Sequence, residues 1–111
     1  MNDARLWLDA EEALAGSSAL SAAGEDLGAR RNRAGAEIAA ASSATPWGRD
    51  EYGQSFERHY RPFEQQVLEA WEQLSAYLSG LGDAAAQSVR DNVQADADAA
   101  ERVRSTYRSR P

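Results

Sequence analysis

The stretch SSATPWGRDEYG, residues 42–53, decides the fold. Ser, Thr, Pro and Gly cluster there, and Pro46 with Gly48 makes it the strongest turn signal in the chain. Long segments rich in Ala and Leu lie on both sides of it. Val and Ile are scarce and nowhere alternate with polar residues over the length of a strand, so no strand is expected. The chain is expected to be all-α: a long antiparallel helical hairpin with a Trp47–Gly48 bend and a helical C-terminal extension.

Working outward from the bend, the 111 residues read as one hairpin domain, 1–111. Helix 1 covers about 4–44, the bend about 45–49, helix 2 about 50–80 and the extension about 83–107. Asp3 is a candidate N-cap for the first helix. Leu6, Ala13, Leu20, Leu27, Ala34 and Ala41 recur at heptad spacing, with Ile38 at the helical offset. Gly16, Gly24, Gly28 and Gly35 each cost about 1 kcal/mol relative to Ala in a helix, so helix 1 must gain its stability from packing. Thr45 followed by Pro46 reads as N-cap and first position of helix 2, and Asp50 is an equally good cap. Two stripes follow: Phe56, Phe63, Ala70, Tyr77 and Tyr60, Val67, Leu74, Leu81. Together they form the a/d pattern of a coiled-coil seam. Pro62 interrupts one backbone hydrogen bond and should kink this helix. Gly80, Leu81, Gly82 and Asp83 could end it, with Asp83 capping a third helix; Val89, Val93, Ala100, Val103 and Tyr107 keep helical spacing beyond. The terminal RSRP is expected to fray.

A fold-back at Ala44 to Gly48 sets a register. It places Ile38 by Phe56, Ala34 by Tyr60, Leu27 by Val67, Leu20 by Leu74 and Ala13 by Leu81. In it Trp71 lies near Ala23 and Gly24, and Tyr77 near Ser17, so that large aromatics meet small residues. A lone two-helix hairpin cannot bury Trp7, Phe56, Phe63 and Trp71 together. A homodimer, or a heterodimer with another helical hairpin, is the physical expectation.

Composition excludes much chemistry. There is no Cys, which removes disulfides and thiolate metal sites, and one His, His59, which makes a His-based metal site improbable. No cofactor or metal is expected. A net charge of −6 argues against nucleic acid and anionic membrane as partners. No apolar run is long enough to span a bilayer. MNDARLWLDAEEALAG is acidic and lacks the pattern of a secretory signal, so export would need a route without one.

The stretch TPWGRDEYGQSFERHYRPFEQQVLEAWEQLSAYL, residues 45–78, resembles the WXG-type family of type VII (ESX) secretion substrates, in its actinobacterial branch. Members are short helical hairpins with Trp-x-Gly at the bend. The branch pattern runs aromatic-Gly-x-Asp-Glu, then an aliphatic residue and Gly, a Phe three residues on, and a Tyr shortly before a Pro. Trp47, Gly48, Asp50, Glu51, Gly53, Phe56, Tyr60 and Pro62 match it. Helix 1 resembles the family only in size and pattern. Gly48 follows Trp47 directly, so the name-giving motif is not literal. The family's C-terminal export signal, Tyr then three residues then an acidic one, is missing at Tyr107, where Pro111 holds the acidic position. Tyr60 and Glu64 have its spacing but lie inside helix 2. The resemblance implies secretion without a signal peptide through a type VII system, with a cytoplasmic stage before export. Docking to a secretion ATPase is also implied.

The candidate bend motif is Trp47, Gly48, Asp50 and Gly53. Trp47 either offers a docking surface or staples the bend against Phe56. The candidate interaction face is Phe56, Tyr60, Phe63, Val67, Trp71 and Leu74. His59 has no Ser, Cys or second His arranged around it as a general base would require, so no catalytic residue is expected and the chain reads as a non-enzyme. Glu57, Glu64, Glu69 and Glu72 form helical pairs of the kind found on a solvated face. Arg30, Arg31 and Arg33 are balanced by Glu25, Asp26 and Glu37. Two function classes follow: a type VII substrate or co-secreted partner acting as an interaction module, and a cytosolic adaptor or chaperone-like protein that binds a larger toxin or effector.

Overall fold

A computed structural model describes residues 2–108, with side chains from residue 7 onward. The protein is an all-α helical hairpin of two helices, α1 (Asn2–Ser43) and α2 (Glu51–Arg108). Asp3 lies inside α1 rather than ahead of it. Its side chain and that of Leu6 fall outside the described residues, as does the tail after Arg108.

The bend is built from local hydrogen bonds. Thr45, at φ 51°, follows the end of α1 in the left-handed conformation that closes many helices. Its N–H donates to Ser42 O at 3.1 Å, and Gly48 N–H donates to Thr45 O at 3.1 Å. Gly48 has φ 87°, a conformation that a side chain would strain. Asp50 then caps α2: its Oδ1 accepts from Gly53 N–H at 2.8 Å, and Gln54 N–H donates to Asp50 O at 2.9 Å. Of the two candidate caps, Asp50 therefore fills the role. Thr45 and Pro46 belong to the turn.

α2 does not stop at Gly80–Asp83. Its helical span runs through them, as it does through Pro62. The reason lies at Gly82, which is buried. A Cβ there would stand 2.6 Å from Ser17 O and 2.6 Å from Ser21 N, so the missing side chain lets the two helix backbones touch. Asp83 does not cap a third helix. Its Oδ1 accepts from the Ser21 hydroxyl at 2.7 Å and ties α2 to α1.

Two compact units divide the hairpin. Ala22–Ser79 forms the bend half. Residues up to Ser21 and from Gly80 onward form the terminal half, to which the Ser17, Ser21, Gly82 and Asp83 contacts belong.

In the bend half the helices meet along small residues. Gly24 packs against the backbone of Ser75 and Ser79, and a Cβ on Gly28 would lie 2.6 Å from Ser75 Oγ. Farther toward the bend, Leu68 packs on Gly35, and Arg61 Nη2 donates to Ser42 O at 3.4 Å. These pairs share one register. It differs from the expected one: α1 residues meet α2 residues about two and a half turns farther along. Leu27 does not face Val67; its carbonyl accepts from Trp71 Nε1 at 3.0 Å. Gly24 meets serines instead of Trp71. The bend accounts for the shift. Ala44–Asp50 folds back over the start of α2, where Gly53 packs beneath the Trp47 and Gly48 carbonyls. The first turns of α2 thus lie beside the loop, and Arg61 reaches back to the end of α1.

Candidate partner-binding face

The seam uses up little apolar surface. Among the described residues no hydrophobic side chain is buried, while Ser17, Ser42 and Ser75 are. The serines are satisfied by backbone and carboxylate. Ser17 Oγ donates to Ala13 O at 2.8 Å, and Ser75 Oγ donates to Gly24 O at 2.6 Å. Ser42 Oγ lies 2.8 Å from Ile38 O and 3.1 Å from Glu64 Oε1. Such polar groups cost stability only when left unpaired.

The apolar stripe of α2 is what remains. The expected coiled-coil seam does not face α1. Phe56 is 50% exposed, Phe63 62%, Val67 46%, Leu74 51% and Tyr77 66%, at the three- and four-residue spacing of one helix face. These are far more open than core side chains. They form a continuous apolar face on the bend half, separate from the small-residue seam. Two members of the expected face behave differently. Trp71 is half-buried and belongs to the seam through its bond to Leu27 O. Tyr60 is half-buried and its hydroxyl donates to Glu64 Oε1 at 3.3 Å.

At the bend, three rings form an aromatic cluster that a guanidinium covers. The Trp47 ring lies 5.3 Å from both Phe56 and Tyr60, and Phe56 stacks on Tyr60 at 5.4 Å. The Arg61 guanidinium sits 5.5 Å over the Trp47 ring and pairs with Glu57 at 2.8 Å. The Trp47 indole N–H is buried without an acceptor. Crowding by its neighbours, and secondarily the Glu64 carboxylate, raises the Tyr60 phenol above its ordinary range.

The remaining sequence candidates are placed without convergent chemistry. His59 is exposed, with Nδ1 2.9 Å from Ser55 O. Arg30 pairs with Asp26 at 2.8 Å. Arg31 donates to Leu68 O at 3.1 Å and lies 3.7 Å from Glu72. Among the described residues no three His, Asp or Glu side chains group as metal ligands would, and no helix is long and apolar enough to cross a membrane.

Sequence reading misses a shallow groove of about 460 Å³ in the terminal half, lined by Trp7, Val89, Val93, Ala97 and Ala100. It also misses the small-residue seam, although Gly24-x-x-x-Gly28 and Ser75-x-x-x-Ser79 carry the signal for close helix approach. Compared with family models, with curated proteins and with solved structures, the chain matches none.

Proposed function

We propose that the protein is a helical protein–protein interaction module whose docking surface is the apolar stripe of α2. The carrying observation is the division of labour on that helix. Small residues close the hairpin, and Phe56, Phe63, Val67, Leu74 and Tyr77 are left open. An apolar face of this size on a small chain marks an interaction site.

Within this reading the protein is a WXG-like substrate, or co-secreted partner, of a type VII secretion system. The hairpin form and the matching residues from Trp47 to Pro62 support that assignment. The partner is another helical hairpin, and the pair reaches the secretion ATPase already docked, because an open apolar face invites aggregation. The protein is cytoplasmic before export and extracellular after it.

The test compares culture supernatants of the native host, with a cytosolic marker as lysis control. Wild type is expected outside the cells. Phe63→Glu and Leu74→Glu, which place a charge on the stripe and leave the seam alone, are expected to stay inside. Export unaffected by either substitution would overturn the assignment. Retention of wild type in every background would favour a cytosolic adaptor for a larger toxin or effector.

A further inference from the structure

The terminal half carries an uncovered surface of its own. Trp7 and Ala10 of α1 and Val89, Val93, Ala97 and Ala100 of α2 line the groove of about 460 Å³. The Trp7 side chain is exposed. Toward the end of α2 the apolar line continues through Val103 and Tyr107, both exposed. Val89, Val93, Ala100, Val103 and Tyr107 fall on one helix face. Every residue from 94 to 108 is exposed, so about four turns of helix gain little from packing. Ser105, Thr106 and Tyr107 are weak helix formers, and an unpacked helix end of this length is marginal in water. From Val89 to Tyr107 the line is about 27 Å long and one helix face wide. A docked helix has that shape, and a helix laid in an apolar groove is a recurrent mode of recognition.

Charge fixes the kind of helix. Asp96 stands on the same line, between Val93 and Ala100. Asp9 joins it in the lining from α1. Among the described residues neither carboxylate has a hydrogen-bond or ion-pair partner. Covering them without a cation would strand charge in an apolar contact, which is costly. Arg104, also in the lining, already lies 3.6 Å from Glu101. The covering chain must therefore bring the cation, and the exposed Trp7 ring offers a face on which it can rest. A second copy does not meet this need. Its α2 stripe of Phe56, Phe63, Val67, Leu74 and Tyr77 holds no cation, and its terminal line presents the same Asp96.

We propose that the groove receives an amphipathic helix of a different protein, with one Lys or Arg set in its apolar stripe to meet Asp9 and Asp96. This docking surface is additional to the stripe of the bend half and does not depend on it.

A displayed library of amphipathic helices of about 18 residues, the length of the line, tests it. Stripe positions are apolar, and one central stripe position carries every amino acid. Selection on the folded chain is expected to enrich Lys and Arg at that position. Calorimetry with a selected Lys peptide should show a loss of about tenfold or more in affinity for Asp96→Asn and for Trp7→Ala. Asp98→Asn, which removes an exposed carboxylate outside the groove lining, and Phe63→Glu on the bend half should leave affinity unchanged. Circular dichroism verifies that each variant remains helical. No selected binder, or binders indifferent to the central residue, overturns the proposal. An equal loss for Asp98→Asn also overturns it, because the acidity of the chain at large would then attract the peptide. A loss confined to Phe63→Glu moves the peptide to the α2 stripe, which overturns the groove and leaves that stripe as the docking surface. A dimer of the free chain that Trp7→Ala and Asp96→Asn both dissolve would put a second copy in the groove and overturn the different partner.

Discussion

The Ser75 hydroxyl donates to the Gly24 carbonyl at 2.6 Å, across the seam between α2 and α1. So short a reach from a small side chain is possible only because Gly24 has no Cβ to hold the helices apart. A Cβ there would come within 2.5 Å of Ser79 N and 2.9 Å of Ser75 O, both backbone atoms that cannot swing aside.

Gly24→Ala is therefore expected to destabilise the hairpin by about 1–3 kcal/mol through overpacking, in spite of alanine's roughly 1 kcal/mol advantage in a helix. Gly16→Ala should do the opposite. Nothing lies within 4 Å of its Cβ, so it should stabilise by about 0.5–1 kcal/mol. Urea unfolding followed by circular dichroism measures both, and a stabilised Gly24→Ala would refute the close seam.

Trp71 and Phe63 should separate seam from stripe. Trp71→Ala removes a half-buried ring and its bond to Leu27 O, at a cost of about 3 kcal/mol. That cost should not vary with protein concentration. Phe63→Ala should leave monomer stability within about 0.5 kcal/mol and act only where a partner is bound. Equal, concentration-independent costs would place Phe63 in the hairpin's own core.

The hairpin was legible in the sequence and its facing residues were not. Pro46 and Gly48 between two Ala- and Leu-rich segments leave little choice but a bend. Apolar periodicity then marks the faces of α2 that avoid water, without saying whether α1 or another chain covers them. The stripe through Phe63 and Val67 has the stronger pattern, and the seam through Ser75, Ser79 and Gly82 the weaker. The weaker one faces α1 because only small residues fit against Gly24 and Gly28. The register shift follows from the fold-back of Trp47 onto Phe56 and Tyr60, a tertiary contact that turn propensities do not encode.

Thr45 at φ 51° is a β-branched residue in the left-handed region, which costs about 1–2 kcal/mol. Thr45→Gly should stabilise by about 0.5–1 kcal/mol after the greater freedom of glycine in the unfolded chain is counted. Thermal unfolding is the measurement; a loss of stability would mean that the threonine side chain holds the turn.

Tyr60 makes stability fall in alkali. Its phenol is raised above the ordinary value of 10.0 in the folded hairpin, so folding favours the protonated form. The contribution is complete below pH 10.0 and is lost as pH rises through the folded value. Tyr60→Phe should remove this part of the pH dependence, seen by comparing urea midpoints of the two proteins on either side of pH 10.0. Identical slopes would show that the fold does not perturb the phenol.

The most direct test of the account is a pair of double-cysteine variants, each oxidised as a dilute monomer. A Cβ on Gly28 stands 3.7 Å from Ser75 Cβ, within the range that a disulfide spans. Gly28→Cys with Ser75→Cys should close an intramolecular bond rapidly. Leu27→Cys with Val67→Cys should not, because Val67 lies on the open stripe. The reverse outcome, with 27–67 bonding readily and 28–75 failing in a helical monomer, would put the apolar stripe against α1 and leave the protein without the docking face proposed for it.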